Sequence, residues 1–282
     1  MNDALSPIAC IGALYAGSER GLAADALAAR SLGLAPHTVC TAIVAASHDH
    51  VTDLTEVPSD TVRSQLEHLD TVGAVAGARI GVLGSAANAN AVLEWASHFG
   101  GPVVLEAVAS GPNGETVLPS RGIGVLTEGF SVADLVVVSR QDAELFSGGE
   151  INSLDDAQVA AQRLSKRGAK RVLIHCGVLP TRFFDAALDP GAESAPDALA
   201  ADLYFDGEDF ALFEIPSQDA VEGVQSLYAI TALSALMSGL PPEAVLQAAT
   251  RQSVEATRAA YPSADGRPRL AFDWARSRAG SP

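Results

Sequence analysis

The stretch PIACIGALYAGSERGLAADALAARSLG, running from Pro7 to Gly33, decides the architecture. Its first half, Pro7 to Leu14, is short and apolar and stops at the turn Ala16-Gly17-Ser18, as a buried strand of a parallel sheet does. Its second half places Leu22, Ala23, Ala26, Leu27, Ala29, Arg30 and Leu32 at helical spacing and meets Gly33, a residue suited to the left-handed position that closes a helix. A buried strand that passes directly into a helix is the repeating unit of an α/β protein.

The same alternation extends along the chain. His37 to Ala46 is β-branched and apolar, and Pro58-Ser59-Asp60 then opens a helix carrying Val62, Leu66 and Leu69. Ala78 to Leu83, Pro102 to Glu106, Asp134 to Val138 and Arg171 to Cys176 read as further buried strands, with helical patterns at Ala86 to Phe99 and Leu154 to Arg167. Leu199 to Phe205 and Phe210 to Ile215, joined by Asp206-Gly207-Glu208-Asp209, form a hairpin, because Asp-Gly is a strong turn former. Ser226 to Met237 is apolar almost all round, and Pro242 to Ala260 is an amphipathic helix. The pattern predicts a three-layer α/β/α sandwich with a mostly parallel central sheet and an antiparallel edge hairpin. We expect a single domain over 1–262 and a polar tail over 263–282, with Asp185 to Ala198 as a breaker-rich surface loop. Ligands of such sheets bind beyond the carboxyl ends of the strands.

Composition narrows the partners. Among 282 residues, 18 Lys and Arg face 34 Asp and Glu, a net charge of −16, while 48% of residues are hydrophobic. A surface this acidic repels phosphate backbones and anionic lipid, so no nucleic acid and no membrane partner is expected. Runs such as Leu135 to Val138 are far shorter than the ~20 residues that cross a bilayer. Cys10, Cys40 and Cys176 are an odd set lying in apolar runs, which fits a reducing cytoplasm. No C-x-x-C spacing occurs, and His48-Asp49-His50 has no third ligand nearby, so zinc is set aside. A small-molecule ligand is the expected partner.

The element order, with Gly21-Leu22-Ala23-Ala24-Asp25 opening the first helix and Ser31-Leu32-Gly33 closing it, resembles the ribokinase-like superfamily. Within it the chain is similar to the hydroxymethylpyrimidine phosphate kinases of thiamine synthesis, relatives of pyridoxal kinases, whose first helix carries G-x-Q-A-D. Thr41-Ala42-Ile43-Val44 matches the family's T-A-L-T, Ile80 to Gly84 its K-I-G-M-L strand, and Val103 to Val108 its V-V-L-D-P-V. Asp142 to Phe146 matches the E-A-x-x-L after T-P-N, and Val172 to Gly177 matches V-L-x-K-G-G.

The resemblance implies phosphoryl transfer from ATP, with magnesium, to the hydroxymethyl group of a pyrimidine or pyridoxal-like alcohol, and a possible homodimer. It places the anion-binding turn at Gly223-Val224-Gln225-Ser226, where Gln225 replaces the second glycine and Ser226 stands at the base position. Serine has no carboxylate or thiolate form near neutral pH, so Asp219 and Glu222 are candidate displaced bases. Tyr15, Ala23, Asp25 and Thr41 fall on the acceptor side; Ala23 replaces the pyrimidine-holding glutamine and Tyr15 an aspartate. Ser139 falls at the nucleotide-side asparagine and His175 at a lysine near the phosphates, while Glu106 and Asp142 stand for the acids that organise magnesium. Each has a plainer reading: Asp142 and Ser226 suit helix caps, Asp25 a helix dipole, and His175 and Cys176 core packing. With so many replacements, the alternative to a working kinase is a non-catalytic kinase-fold protein with a binding or regulatory role.

Overall fold

Strand β1 (Ser6–Ala16) is buried from Ile8 to Ala13 and feeds α1 (Gly21–Ser31), which ends on Leu32 with Gly33 in the left-handed conformation, φ +74°. The computed structural model describes residues 5–16, 20–47, 50–71, 75–180, 198–215, 221–262, 268–270 and 272. From α1 the chain passes to β2 (Leu34–Ala46), β3 (Val51–Glu56), α2 (Ser59–Thr71), β4 (Gly77–Ile80), α3 (Ala86–His98) and β5 (Val103–Glu106). It continues through α4 (Ser120–Glu128), β6 (Leu135–Ser139), α5 (Arg140–Ser147), α6 (Leu154–Lys166) and β7 (Val172–Pro180). The hairpin β8 (Ala198–Phe205) and β9 (Phe210–Ile215) precedes α7 (Val224–Met237) and α8 (Pro242–Arg258).

Nine strands form one sheet in the order β3-β2-β1-β4-β5-β6-β7-β8-β9. The six strands from β2 to β7 in that order run parallel, and each end of the sheet is antiparallel. One face is covered by α2 to α6, whose Leu66, Val92, Leu126, Phe146 and Leu164 pack on the sheet. The other carries α1, α7 and α8, with Leu22, Ala28, Leu227, Ile230, Leu246 and Ala249 in the core. The three-layer α/β/α sandwich is thus the observed fold. The near-uniform apolarity of α7 is explained by its central place, packed between α1, α8 and the strands β4 and β5.

The second antiparallel edge, made by β3 against β2, and helix α4 are additions to the sequence reading. Strand β3 is exposed or half-buried along its whole length, so it has no apolar alternation to read. Its tip is tied to the loop after β5: His50 Nδ1 meets Glu115 Oε1, and the same carboxylate accepts the Val51 N–H at 3.2 Å and the Asn113 N–H at 3.0 Å. The surface loop expected over 185–198 lies outside the described residues except for Ala198, which starts β8. The expected tail lies outside them except for 268–270 and 272. No helix among the described residues is long and apolar enough to cross a membrane.

Gly21 begins α1 at φ +56°, directly under the end of β1, and a Cβ there would collide with the Ala13 carbonyl and the Tyr15 ring. Gly33 is also left-handed, but a Cβ on it would meet nothing within 4 Å. Gly33→Ala should therefore lose only the left-handed penalty of about 1 kcal/mol, and Gly21→Ala clearly more, by urea unfolding. Equal losses would contradict the close approach.

Candidate active site

The carboxyl ends of β1 and β4 to β7 open on a cleft of about 490 Å³. Tyr15 and Glu106 reach it from strand ends, His175 from β7, Arg79 from β4, Ser139 and Asp142 from the start of α5, and Gly223 to Ser226 from the start of α7. A second chamber of about 360 Å³ shares Ser139, His175, Val224 and Gln225 with it and continues to Ile215, Tyr228, Thr250 and Ser253.

The centre of the cleft floor is Arg79, a charged residue in a strand otherwise buried by apolar packing. Its Nη2 donates to Glu106 Oε2, and its Nη1 lies 3.3 Å from Asp25 Oδ2. A Cβ on Gly81 would collide with the guanidinium, and one on Gly12 would touch it, so two glycines make its room. Burial works against its charge, yet Asp25 and Glu106 together hold its pKa above the usual arginine value. Asp25 is fully buried; burial pushes its pKa up to about 6, against the pull of Arg79 and of the Ser226 hydroxyl.

Ser139 and Asp142 form a reciprocal cap on α5: the Asp142 N–H donates to Ser139 Oγ at 3.0 Å, and that hydroxyl donates to Asp142 Oδ2 at 2.9 Å. Asp142 Oδ1 accepts the N–H groups of Ala109 at 3.1 Å and Ser110 at 3.0 Å. Burial raises the Asp142 pKa above the ordinary value, with those bonds opposing. Both Asp142 oxygens are therefore occupied, Glu106 gives one oxygen to Arg79, and no cluster of three candidate ligands exists among the described residues. Both acids line the cleft, and the Glu106 oxygen not given to Arg79 is the one open to the magnesium role expected of them, since magnesium is commonly held by one or two carboxylates with phosphates and water completing its shell.

Helix α7 begins at Gly223, which takes φ +88° as the N-cap, and its first residues line the cleft. Ser226 is therefore a buried residue of the first turn instead of the cap that serine chemistry suggested. Glu222, also buried, lies 3.7 Å from Arg20 and 4.0 Å from Arg269. Asp219 lies outside the described residues. Thr41 and Ala23 are not on the cleft wall; Thr41 is buried and its hydroxyl donates to the Val82 carbonyl at 2.6 Å, bracing β2 against the end of β4. Tyr15 does line the cleft, with burial pushing its pKa up to about 12.

His175, expected to pack in the core or to approach phosphates, lines both chambers, and its Nδ1 lies 2.9 Å from Asp202 Oδ1 on β8. Cys176 beside it is buried, its thiol pushed up to about 12 by burial. Arg79 and Asp202 are the site residues that sequence reasoning missed. The signal for each was an isolated charge inside an apolar strand, which is costly unless paired.

A parallel sheet with its cleft at the strand ends, a glycine-led helix opening into it and an antiparallel edge define a ribokinase-like α/β fold. Residues 16–266 match the model of the phosphomethylpyrimidine kinase family, and the chain belongs to that family. It is 28% identical over 198 residues to a hydroxymethylpyrimidine/phosphomethylpyrimidine kinase of Aquifex aeolicus, covering 70% of this chain and 71% of the relative. It is 27% identical over 256 residues to the Mycobacterium tuberculosis (strain ATCC 25618 / H37Rv) protein of that name, covering 89% and 87%. A Staphylococcus aureus pyridoxal kinase solved with AMP-PCP and pyridoxal shares the fold at a TM-score of 0.78 and 21% identity, over 96% and 94% of the two chains. A Clostridium difficile phosphomethylpyrimidine kinase does so at 0.71 and 18%, over 89% and 98%.

Arg79→Met leaves two acids without their cation and should lose about 3–5 kcal/mol in denaturant unfolding, with Arg79→Lys losing less; full stability of the methionine variant would contradict the pairing. The Asp25 carboxyl, with a folded pKa of about 6 against about 3.9 unfolded, stabilises the fold fully below the lower value and loses that contribution as pH rises through the higher. Asp25→Asn should therefore flatten the melting-temperature profile between about pH 4 and 7.

Proposed function

We propose that this chain is an ATP-dependent kinase acting on the hydroxymethyl group of a pyrimidine-like alcohol in thiamine biosynthesis, the activity for which its Aquifex aeolicus and Mycobacterium tuberculosis relatives are named. The observation that carries the reading is the start of α7 at the junction of two chambers, where Val224 and Gln225 line both. The nucleoside takes the chamber of Ile215, Tyr228 and Val254, and the acceptor takes the side of the cleft walled by Tyr15, Val82 and Val108. The transferring phosphoryl sits between them on the amide groups of the first turn of α7, where the helix dipole and undonated N–H groups favour an anion.

Arg79 does not touch the phosphoryl in this scheme; it fixes the Glu106 carboxylate at the rim, and Arg140 adds positive charge at the cleft wall. Ser226 lines the cleft where the acceptor hydroxyl would sit, and the buried Asp25 carboxylate, ionised above about pH 6, is the group near it able to take up the proton. Serine alone is no base, so the buried carboxylate behind it supplies the basicity.

The absence of a carboxylate or thiolate at position 226 itself favours a second reading, a protein that binds nucleotide and acceptor without transferring phosphate. Turnover assays with ATP, magnesium and hydroxymethylpyrimidine, its monophosphate or pyridoxal separate the two. Transfer by the parent protein, lowered on the order of 10²-fold in kcat by Ser226→Ala with little change in nucleotide KM, is the expected result. Saturable nucleotide binding without any transfer would establish the second reading.

A further inference from the structure

Helix α7 starts without a side-chain cap. Its N-cap is Gly223, which has no side chain to hold the first turn, and that turn is the part of the helix that lines the cleft. The residue before it, Glu222, has a side chain only 4% exposed, and a carboxylate so placed is costly unless cations meet it. Two do, from distant parts of the chain: Arg20, the N-cap residue of α1, at 3.7 Å, and Arg269 at 4.0 Å. Arg269 belongs to a segment beyond residue 266, where the family match ends. The segment is built into the molecule. The backbone of Arg269 pairs antiparallel with Tyr261 and parallel with Glu222, and the buried Leu270 enters the apolar core of α1, α7 and α8 together with Val221.

We propose that Arg269, acting through Glu222, is a positioning residue for the first turn of α7, so that the segment 268–270 braces the turn on which phosphoryl transfer depends. The inference rests on the kinase reading of that turn and adds to it what holds the turn in place. Glu222 joins three segments at one point: its own backbone leads directly into Gly223, Arg20 ties it to the start of α1, and Arg269 ties it to a strand pair anchored by Leu270. A loosened first turn leaves the helix itself intact, because α7 is buried from Ser226 to Leu233. What is lost is the aim of its amide groups, and a misplacement of about 1 Å is enough to slow a positioned reaction on the order of 10²-fold. Glu222 is thereby a brace instead of a proton acceptor.

Backbone hydrogen exchange of the full chain, followed by NMR, tests the brace without any ligand. The amide of Leu227 donates to the Gly223 carbonyl at 3.0 Å and so reports the opening of the first turn, while that of Ile230 reports the helix beyond it. Arg269→Gln should speed exchange at Leu227 on the order of 3- to 10-fold, leaving Ile230 and the urea midpoint in place, and Arg269→Lys should restore most of the protection. Glu222→Gln should give the same acceleration, and the double variant no more than either single one. In transfer assays with ATP and magnesium, Arg269→Gln should lower kcat on the order of 10-fold with little change in nucleotide KM. An unmoved Leu227 amide, additive effects of the two substitutions, or accelerated exchange with unchanged kcat would overturn the inference and leave the kinase reading intact. Faster exchange at Leu227 and Ile230 alike, with a lowered midpoint, would overturn it by giving the segment a purely structural part. No transfer by the parent protein would overturn the kinase reading, and with it the catalytic half of this one, even where the exchange behaves as expected.

Discussion

A guanidinium sealed inside the protein organises everything around it. Arg79 stands at the end of a central strand, between an acid from the first helix and an acid from the neighbouring strand, and it is as buried as the leucines near it. Three charges in that space are tolerable only together: removing the cation leaves two carboxylates competing for the same desolvated region. The constraint reaches outward through the glycines at 12 and 81, which give up side chains to make room, and through Asp25, whose position fixes the first helix over the cleft. It also orients the neighbouring Glu106, one of whose oxygens is committed to the arginine.

The fold was legible in the sequence because its elements obey simple periodicities. The strand-to-helix stretch at Pro7–Gly33, the Asp-Gly hairpin and the uniformly apolar Ser226–Met237 segment each have one structural solution, and each is found. What was not legible had no periodic signature. Strand β3 lies at an exposed edge and so shows no alternation, and β2 and β7 extend beyond the apolar runs because Leu34–Pro36 pair with the start of β1 and 177–180 pair with β8.

The site was legible position by position, but not in its pairings. The cleft does gather Tyr15, Glu106, Ser139, Asp142, His175, Glu222, Gly223, Gln225 and Ser226. A sequence cannot show that the Asp142 carboxylate spends itself on two backbone amides and a serine, or that Thr41 turns its hydroxyl away to the Val82 carbonyl just past the end of β4. Those are facts of three-dimensional closure. The isolated charges at 79 and 202 were visible as anomalies within apolar strands, and it is their partners, 27 positions away in each case, that give them meaning.

The segment from Ala109 to Glu115 is fastened at its two ends by carboxylates of unlike strength. Asp142 grips one end and is raised above the ordinary acid range; Glu115 grips the other and is lowered to about 2 through its hydrogen bonds to backbone amides and His50. Acidification therefore loosens the cleft-side fastening first, while the outer one still holds the hairpin tip. The segment is a strap with two unequal buckles, and its inner one, at the start of α5, is the more easily released by acid.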